Sequence, residues 1–530
     1  MSRPPTVDPG PEERLRVTRA MSGMFGRDSV YLATWVLQLV AAAGVTPLVT
    51  RLLGAAEFGA AAAATSVMQV LFVLAGCGLQ VAVQRWFAEP GGPVAAARLL
   101  TLGIVASVVV TALVLLTGPL WAGALGFAGF GTDLVLAVLW GGLSAVTAAG
   151  LALLRSHDRL LAFAVVSLLQ SVVSEGLSLA LVVGYADTSG TYLFGHAVAQ
   201  ALALSVVLAC VPPRWLRRRD LPLARAGLAY GLPLVPAALG AFVLNAADRL
   251  MVQAELGEVE VARYQVAYNI GSLPMLVLTA LTTVWLPRFF AVEDDGERRA
   301  VLAASRAALQ RLLAPVLVGM SVASPIVLRV WAPPEYRPDD LMLVTAVVVV
   351  SAVPFAAVQS ATRDLLSRSA TRAVAWSTGG AAVVNIGLNL LLIPELGITG
   401  AALATLLAYA VQHGLLLLAA GWWSDPSVGP WPLVQLLGAA AAAFLALALP
   451  TDPAGLAVRL AVGLACLAWF VLVLRRLAAP GAASRPEDGD AVLLEEAGGS
   501  ARPSVVADAS GTDDAMPRPS TVGEHGRRGR

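Results

Sequence analysis

Apolar residues run along this chain in blocks of roughly 20, the length of helix that crosses about 30 Å of hydrocarbon. Short polar interruptions separate them. The pattern predicts spans near 29–50, 58–83, 94–117, 133–154, 160–184, 190–212, 228–254, 261–287, 308–330, 341–362, 373–393, 397–420, 431–450 and 454–474. The short alternating segments of a membrane barrel are absent. The expected fold is all-α, a polytopic membrane protein of about 14 transmembrane helices.

The blocks repeat. Residues 53–59 read LGAAEFG and 256–262 read LGEVEVA; the Arg85-Trp86-Phe87-Ala88 that follows the first is echoed by Arg288-Phe289-Phe290-Ala291, both at an offset of 203. A second echo pairs Arg155-Ser156, Arg159 and Phe163 with Arg368-Ser369, Arg372 and Trp376 at an offset of 213. Two six-span halves of matching orientation follow, 29–212 and 228–420, joined by a linker at 213–227. Two further spans occupy 431–477. An even number of spans between the copies makes the repeat parallel, about an axis along the membrane normal. Substrate sites in such folds lie between the halves near the midplane.

Composition agrees with embedding. Of 530 residues, 57% are hydrophobic and 13% charged, where a soluble domain carries about a quarter. Every basic residue is arginine, and the net charge of +1 says little about partners. With the N-terminus placed in the cytoplasm, 24 arginines fall at cytoplasmic ends and four outside, at Arg51, Arg263, Arg329 and Arg337. That bias supports a cytoplasmic N-terminus and, after an even number of spans, a cytoplasmic C-terminus in the cell membrane. Residues 1–28 form a polar tail, and the first span is expected to be retained. Residues 478–530 are rich in Pro, Gly, Ser, Asp and Arg and are expected to be disordered. Cys77, Cys210 and Cys466 all lie in spans, fit neither a disulfide framework nor a metal site, and read as packing residues. The scattered histidines make no metal site. No phosphate-binding loop of the ATPase type occurs, and no outside loop is long enough for the catalytic domain of a membrane glycosyltransferase or ligase. The protein is not expected to be an enzyme, and nothing points to nucleic acid.

At this level the chain resembles the polysaccharide-biosynthesis flippases of the multidrug/oligosaccharidyl-lipid/polysaccharide (MOP) exporter superfamily, over roughly residues 25–420. The resemblance rests on Arg51-Leu52-Leu53-Gly54 with Glu57-Phe58-Gly59; Gly231-Leu232-Pro233-Leu234-Val235-Pro236; Asn245 with Asp248-Arg249; and Tyr264 through Ala267-Tyr268-Asn269. It continues through Trp285-Leu286-Pro287-Arg288, through Asn385, Asn389 and Leu390 to Pro394, and through Gly397, Gly400-Ala401-Ala402 and Ala404-Thr405. It implies translocation of an undecaprenyl-pyrophosphate-linked oligosaccharide, as in lipopolysaccharide or exopolysaccharide synthesis, with membrane lipids and a polysaccharide polymerase or glycosyltransferases as partners. Lipid II export and multidrug efflux are the alternatives within transporters.

A charge at the bilayer centre costs about 2.5–3.5 kcal/mol on insertion scales, so each polar residue in a span needs a partner or a purpose. Glu175, amid Gln170, Ser171, Ser174 and Ser178, reads as a cavity carboxylate or as glue to an arginine of another helix. Asn245, Asp248 and Arg249 share one side of a helix and would bind headgroup or an ion, or form an interfacial pair that snorkels outward. Arg85 and Arg288 would capture pyrophosphate through a bidentate guanidinium or anchor the inner face. Arg51 is suspect because arginine is rare on its side. Asn385 and Asn389 read as interhelical hydrogen bonding. His196, Gln200 and Gln412-His413 look isolated. Pro233 and Pro236 are hinge candidates. No cofactor is expected; Glu175 or Asp248 would couple transport to a proton or sodium gradient. The segment 291–311, acidic first and basic last, is expected to be an amphipathic surface helix.

Overall fold

The computed structural model describes residues 28–279, 282, 295–421 and 431–478. Arg288 and the Trp285–Arg288 motif, most of the N-terminal tail, the acidic start of the 291–311 segment and the tail beyond 478 lie outside the described residues. Contacts within the chain gather residues up to Leu477 into one unit.

Among the described residues all regular structure is helical. Eleven helices among the described residues are long and apolar enough to cross a membrane, against fourteen expected for the whole chain. The difference has three origins. Helix α1 (Asp28–Gly76) runs through both of the first two expected spans. The expected span 261–287 extends beyond the described residues. The thirteenth is short, with an apolar helix only over Leu436–Ala448. Large apolar side chains stay exposed along α3 (Gly92–Trp121), where Val108 is 62%, Leu116 81% and Leu120 82% exposed. A stripe of this kind suits lipid, which solvates leucine as readily as a protein core does.

Two glycine corners explain the repeat at offset 203. Gly54 breaks α1 at φ 73°, ψ 172°. Gly257 joins α9 (Val235–Leu256) to α10 (Glu258–Gly271) at φ 83°, ψ −179°. Both conformations are essentially closed to residues with a Cβ. The corners pack together: a Cβ on Gly59 would overlap the Glu258 carbonyl, so the chains meet backbone to backbone. The second echo has a different register. Helix α4 (Thr132–Ser156) and helix α12 (Met342–Ser367) both end in a left-handed residue, Asp158 and Ser369. Arg159 N–H donates to Leu154 O and Ala370 N–H to Leu365 O in the same closing pattern. The turns correspond at an offset of 211, not 213. The matching Arg-Ser pairs in the sequence are offset from the matching geometry by two residues.

Three expected spans are interrupted. Residues 58–83 do not form one helix: α1 stops at Gly76, Cys77 and Gly78 turn through positive φ, and α2 (Leu79–Phe87) resumes. Span 160–184 consists of α5 (Leu160–Leu168), a π-turn over Leu169–Val173 and α6 (Ser174–Gly184). Span 228–254 is split by a 3-10 turn, Leu232–Leu234, between α8 (Leu221–Gly231) and α9. Pro233 lies in that turn and Pro236 just after it, where proline costs no helical hydrogen bond. The breaks at Gly78 and Gly231 touch, since a Cβ on either would overlap the backbone of the other segment.

One apolar cluster around Leu79, Leu99 and Leu153 packs α2, α3, α4 and α7 (Ser189–Cys210). Another, around Leu244, Leu313 and Tyr409, packs α9, α11 (Asp295–Trp331), α12 and α14 (Ile398–Ala420). A third joins them, running from Val49 and Phe58 through Tyr264 and Leu328 to Ile393.

Candidate functional site

Where α1, α6, α7, α9, α10 and α11 converge, they leave a cavity of about 400 Å³. Its charged lining residues, among those described, are one cation, Arg249, and one anion, Glu175. Asn245, Gln265, Asn269, Gln69, Thr65 and Tyr192 contribute further polar groups, and Trp331, Phe58 and Leu276 apolar surface.

The cation is anchored by its own helix and the next. Asn245 and Arg249 are one turn apart on α9, and Arg249 Nη1 donates to the Asn245 carbonyl and to Asp248 Oδ1, the latter at 2.8 Å. From α10, Gln265 Oε1 accepts from Arg249 Nε at 2.9 Å, and Asn269 Oδ1 accepts from Gln265 Nε2 at 2.6 Å. The guanidinium lies 4.0 Å from the Tyr268 ring centroid, a cation–π contact that strengthens out of water. Tyr264 donates its hydroxyl to Asp248 Oδ2. Asp248 is 1% and Arg249 5% exposed. The outward-snorkelling alternative therefore fails: this is a buried pair whose carboxylate is covered and whose guanidinium edges the cavity. Asn245 Oδ1 accepts from the Tyr409 hydroxyl of α14 at 3.2 Å.

The anion sits on the opposite set of helices. Glu175 Oε2 accepts from the Tyr192 hydroxyl at 2.9 Å and lies 3.8 Å from His196 Nε2. The π-turn immediately before α6 shifts the helical register at this point, a distortion common at functional sites. His196 is not isolated. Ser174 Oγ hydrogen-bonds its Nδ1, Trp140 stacks on it with centroids 4.6 Å apart, and Tyr192 meets it edge-on. Gln200 donates to Thr147 and Gln412 to Thr378, so these too are interhelical links.

The remaining candidates lie elsewhere. Arg51 donates to the carbonyls of Pro47 and Val330, at 2.7 and 2.5 Å, and fastens α1 to the end of α11. Two carbonyl partners account for the guanidinium without substrate. Arg85 is exposed, 4.6 Å from the Tyr230 ring and in a loose ion pair with Glu89. Asn385 and Asn389 on α13 (Thr371–Leu396) are fully buried, and Asn389 Nδ2 donates to Asn385 O and Oδ1. None of the four residues lines the cavity. No group of three or more His, Cys, Asp or Glu residues among those described could hold a metal.

Tyr192, Gln265, Trp140 and Ser174 were missed as site residues. Gln265–Asn269 and Tyr192–His196 are both i, i+4 polar pairs within apolar spans, a signal the sequence does carry. The contact of Glu175 with α7 had none.

An apolar helical bundle around a polar chamber, with helices long and apolar enough to cross a membrane, marks a multi-pass membrane protein. The chain belongs to the polysaccharide biosynthesis protein family, whose model matches residues 26–293. No curated protein sequence matches it. Its fold is similar to that of the lipid II flippase MurJ in an inward closed conformation, with a TM-score of 0.63 at 13% identity over 85% of this chain and 99% of that one. It is also similar to an inward-facing multidrug resistance MATE family transporter of the MOP superfamily, with a TM-score of 0.56 at 14% identity over 76% and 95% of the two chains. The two likenesses show a shared fold, and the family match gives the family.

Proposed function

We propose that the protein flips an undecaprenyl-pyrophosphate-linked oligosaccharide, a polysaccharide precursor, from the cytoplasmic to the outer leaflet, by alternating access between two six-helix halves with two further spans behind them. The observation that carries this reading is Arg249, a guanidinium held at a polar cavity inside an apolar bundle. A pyrophosphate cannot cross hydrocarbon unaided. Arg249 offers it a positive charge held in place by Asn245, Asp248 and Gln265, with Gln265 and Asn269 alongside, while the lipid tail stays in the bilayer. The touching breaks at Gly78 and Gly231, with Pro233 and Pro236 next to them, give spans two and seven a place to bend.

Coupling to a proton or sodium gradient belongs at Glu175 rather than Asp248. Glu175 lines the cavity, whereas Asp248 is enclosed by Arg249 and Tyr264. Lipid II export uses the same headgroup chemistry and remains the second reading.

Mass spectrometry of the lipid pool in a deletion strain tests the reading. Accumulated undecaprenyl-pyrophosphate saccharides that clear on complementation with the wild-type chain, and not with Arg249→Ala, support it. An unchanged pool with new drug sensitivity rejects it. For coupling, Glu175→Gln is expected to uncouple flipping from an imposed gradient; unchanged gradient dependence would move the site elsewhere.

A further inference from the structure

We infer that the cavity selects lipid-linked saccharides whose phosphate-proximal sugar is uncharged or basic, and that Glu175 is the specificity-determining residue that rejects an acidic one. This deepens the flippase reading and rests on it. Three observations carry it.

The cavity is polarised. Among the described residues its single cation, Arg249, comes from α9 and its single anion, Glu175, from α6. A headgroup that places pyrophosphate at Arg249 presents its next unit to Glu175. The cavity is also small. At about 400 Å³ it lies toward the lower end of the range for small-ligand pockets. A volume of this size accommodates a pyrophosphate and about one sugar, so discrimination is expected to act on that sugar and not on the distal chain. Finally, Glu175 is held as an acceptor. Tyr192 occupies Oε2, and the Tyr192 ring is braced by His196, itself stacked on Trp140 and bonded to Ser174. An ionised carboxylate only accepts. It can take hydroxyl or ammonium hydrogens from a neutral sugar or an amino sugar, but meets a uronate as a like charge in an enclosure that screens poorly.

Binding to the purified protein in detergent tests this with four short-tailed polyprenyl pyrophosphate probes. One is bare, one carries N-acetylglucosamine, one glucuronate and one the uncharged methyl ester of glucuronate. The N-acetylglucosamine probe is expected to bind roughly tenfold or more tightly than the glucuronate probe, and the methyl ester to recover most of that difference. Glu175→Gln keeps the size and Tyr192's acceptor and is expected to bring the ratio towards one. Equal binding of the glucuronate and N-acetylglucosamine probes, or an ester no better than the acid, overturns the inference whether or not the variant folds. So does a ratio that survives in a Glu175→Gln protein still able to bind the bare probe. If the bare probe binds while the sugars are not distinguished, the flippase reading stands and only the selectivity falls. If no probe binds, both fall.

Discussion

The Arg249 guanidinium is buried and wrapped by one carboxylate and two tyrosine rings. Arg249 owes its place to Asp248, since each would be an uncompensated buried charge without the other. Replacing Asp248 with Asn is expected to destabilise the protein by about 3 kcal/mol, because breaking a buried pair leaves the partner charge unmatched. Thermal unfolding in detergent measures it, and Asn385→Ala, outside the cavity, should leave probe affinity unchanged even where it lowers stability. Outside the spans, burial and the neighbouring carboxylates Glu57 and Asp133 raise the pKa of Glu258. A carboxyl with a raised folded pKa binds more protons folded than unfolded, so its contribution to stability falls as pH rises through the carboxylate range. Glu258→Gln should therefore raise the unfolding temperature at neutral pH, with the advantage shrinking at pH values where Glu258 is protonated in both states. The position of the charged residues within spans was legible from insertion cost alone. Their fates were not: Glu175 and Arg249 reach the cavity, Asp248 supports one of them, and Arg51 serves as a clamp.

At the level of elements, the interruptions matter more than the helices. Gly54 and Gly59 separate two effects. Gly54→Ala meets only open space near Glu335 but forces a residue with a Cβ into φ 73°, ψ 172°, at a cost of about 1–3 kcal/mol in backbone strain. Gly59→Ala adopts ordinary helical angles yet collides with the Glu258 carbonyl, for a similar overpacking cost of about 1–3 kcal/mol. Unfolding measurements on each variant and on the double variant should give a non-additive result, because both changes act on one corner-to-corner contact. The LGAAEFG and LGEVEVA echo was readable because such corners demand glycine. The π-turn before Glu175 and the Cys77–Gly78 break were not, since helices of uniform hydropathy give no local sign of a register shift.

For the whole molecule, the C-terminal ends of α2 and α8 are pinned together by Arg85, Trp86 and Tyr230, with the Trp86 and Tyr230 centroids 5.8 Å apart. Arg85 and Trp86 follow the expected span 58–83, and Tyr230 opens the expected span 228–254. A reducible bis-methanethiosulfonate crosslink between Arg85→Cys and Tyr230→Cys, in a background without the three native cysteines, is expected to stop flipping, and a reductant to restore it. Transport unaffected by a formed crosslink would show that this contact persists throughout the cycle. The apolar runs by themselves determined that the chain is helical and membrane-embedded, because a backbone in hydrocarbon must satisfy its hydrogen bonds within the segment. They also marked where expensive polar residues sit. Which of those residues share a chamber was decided only by tertiary structure. A span bounded by lipid on one side and an apolar core on the other is hydrophobic all round, so no amphipathic stripe tells the inward face from the outward one, and packing alone makes that choice.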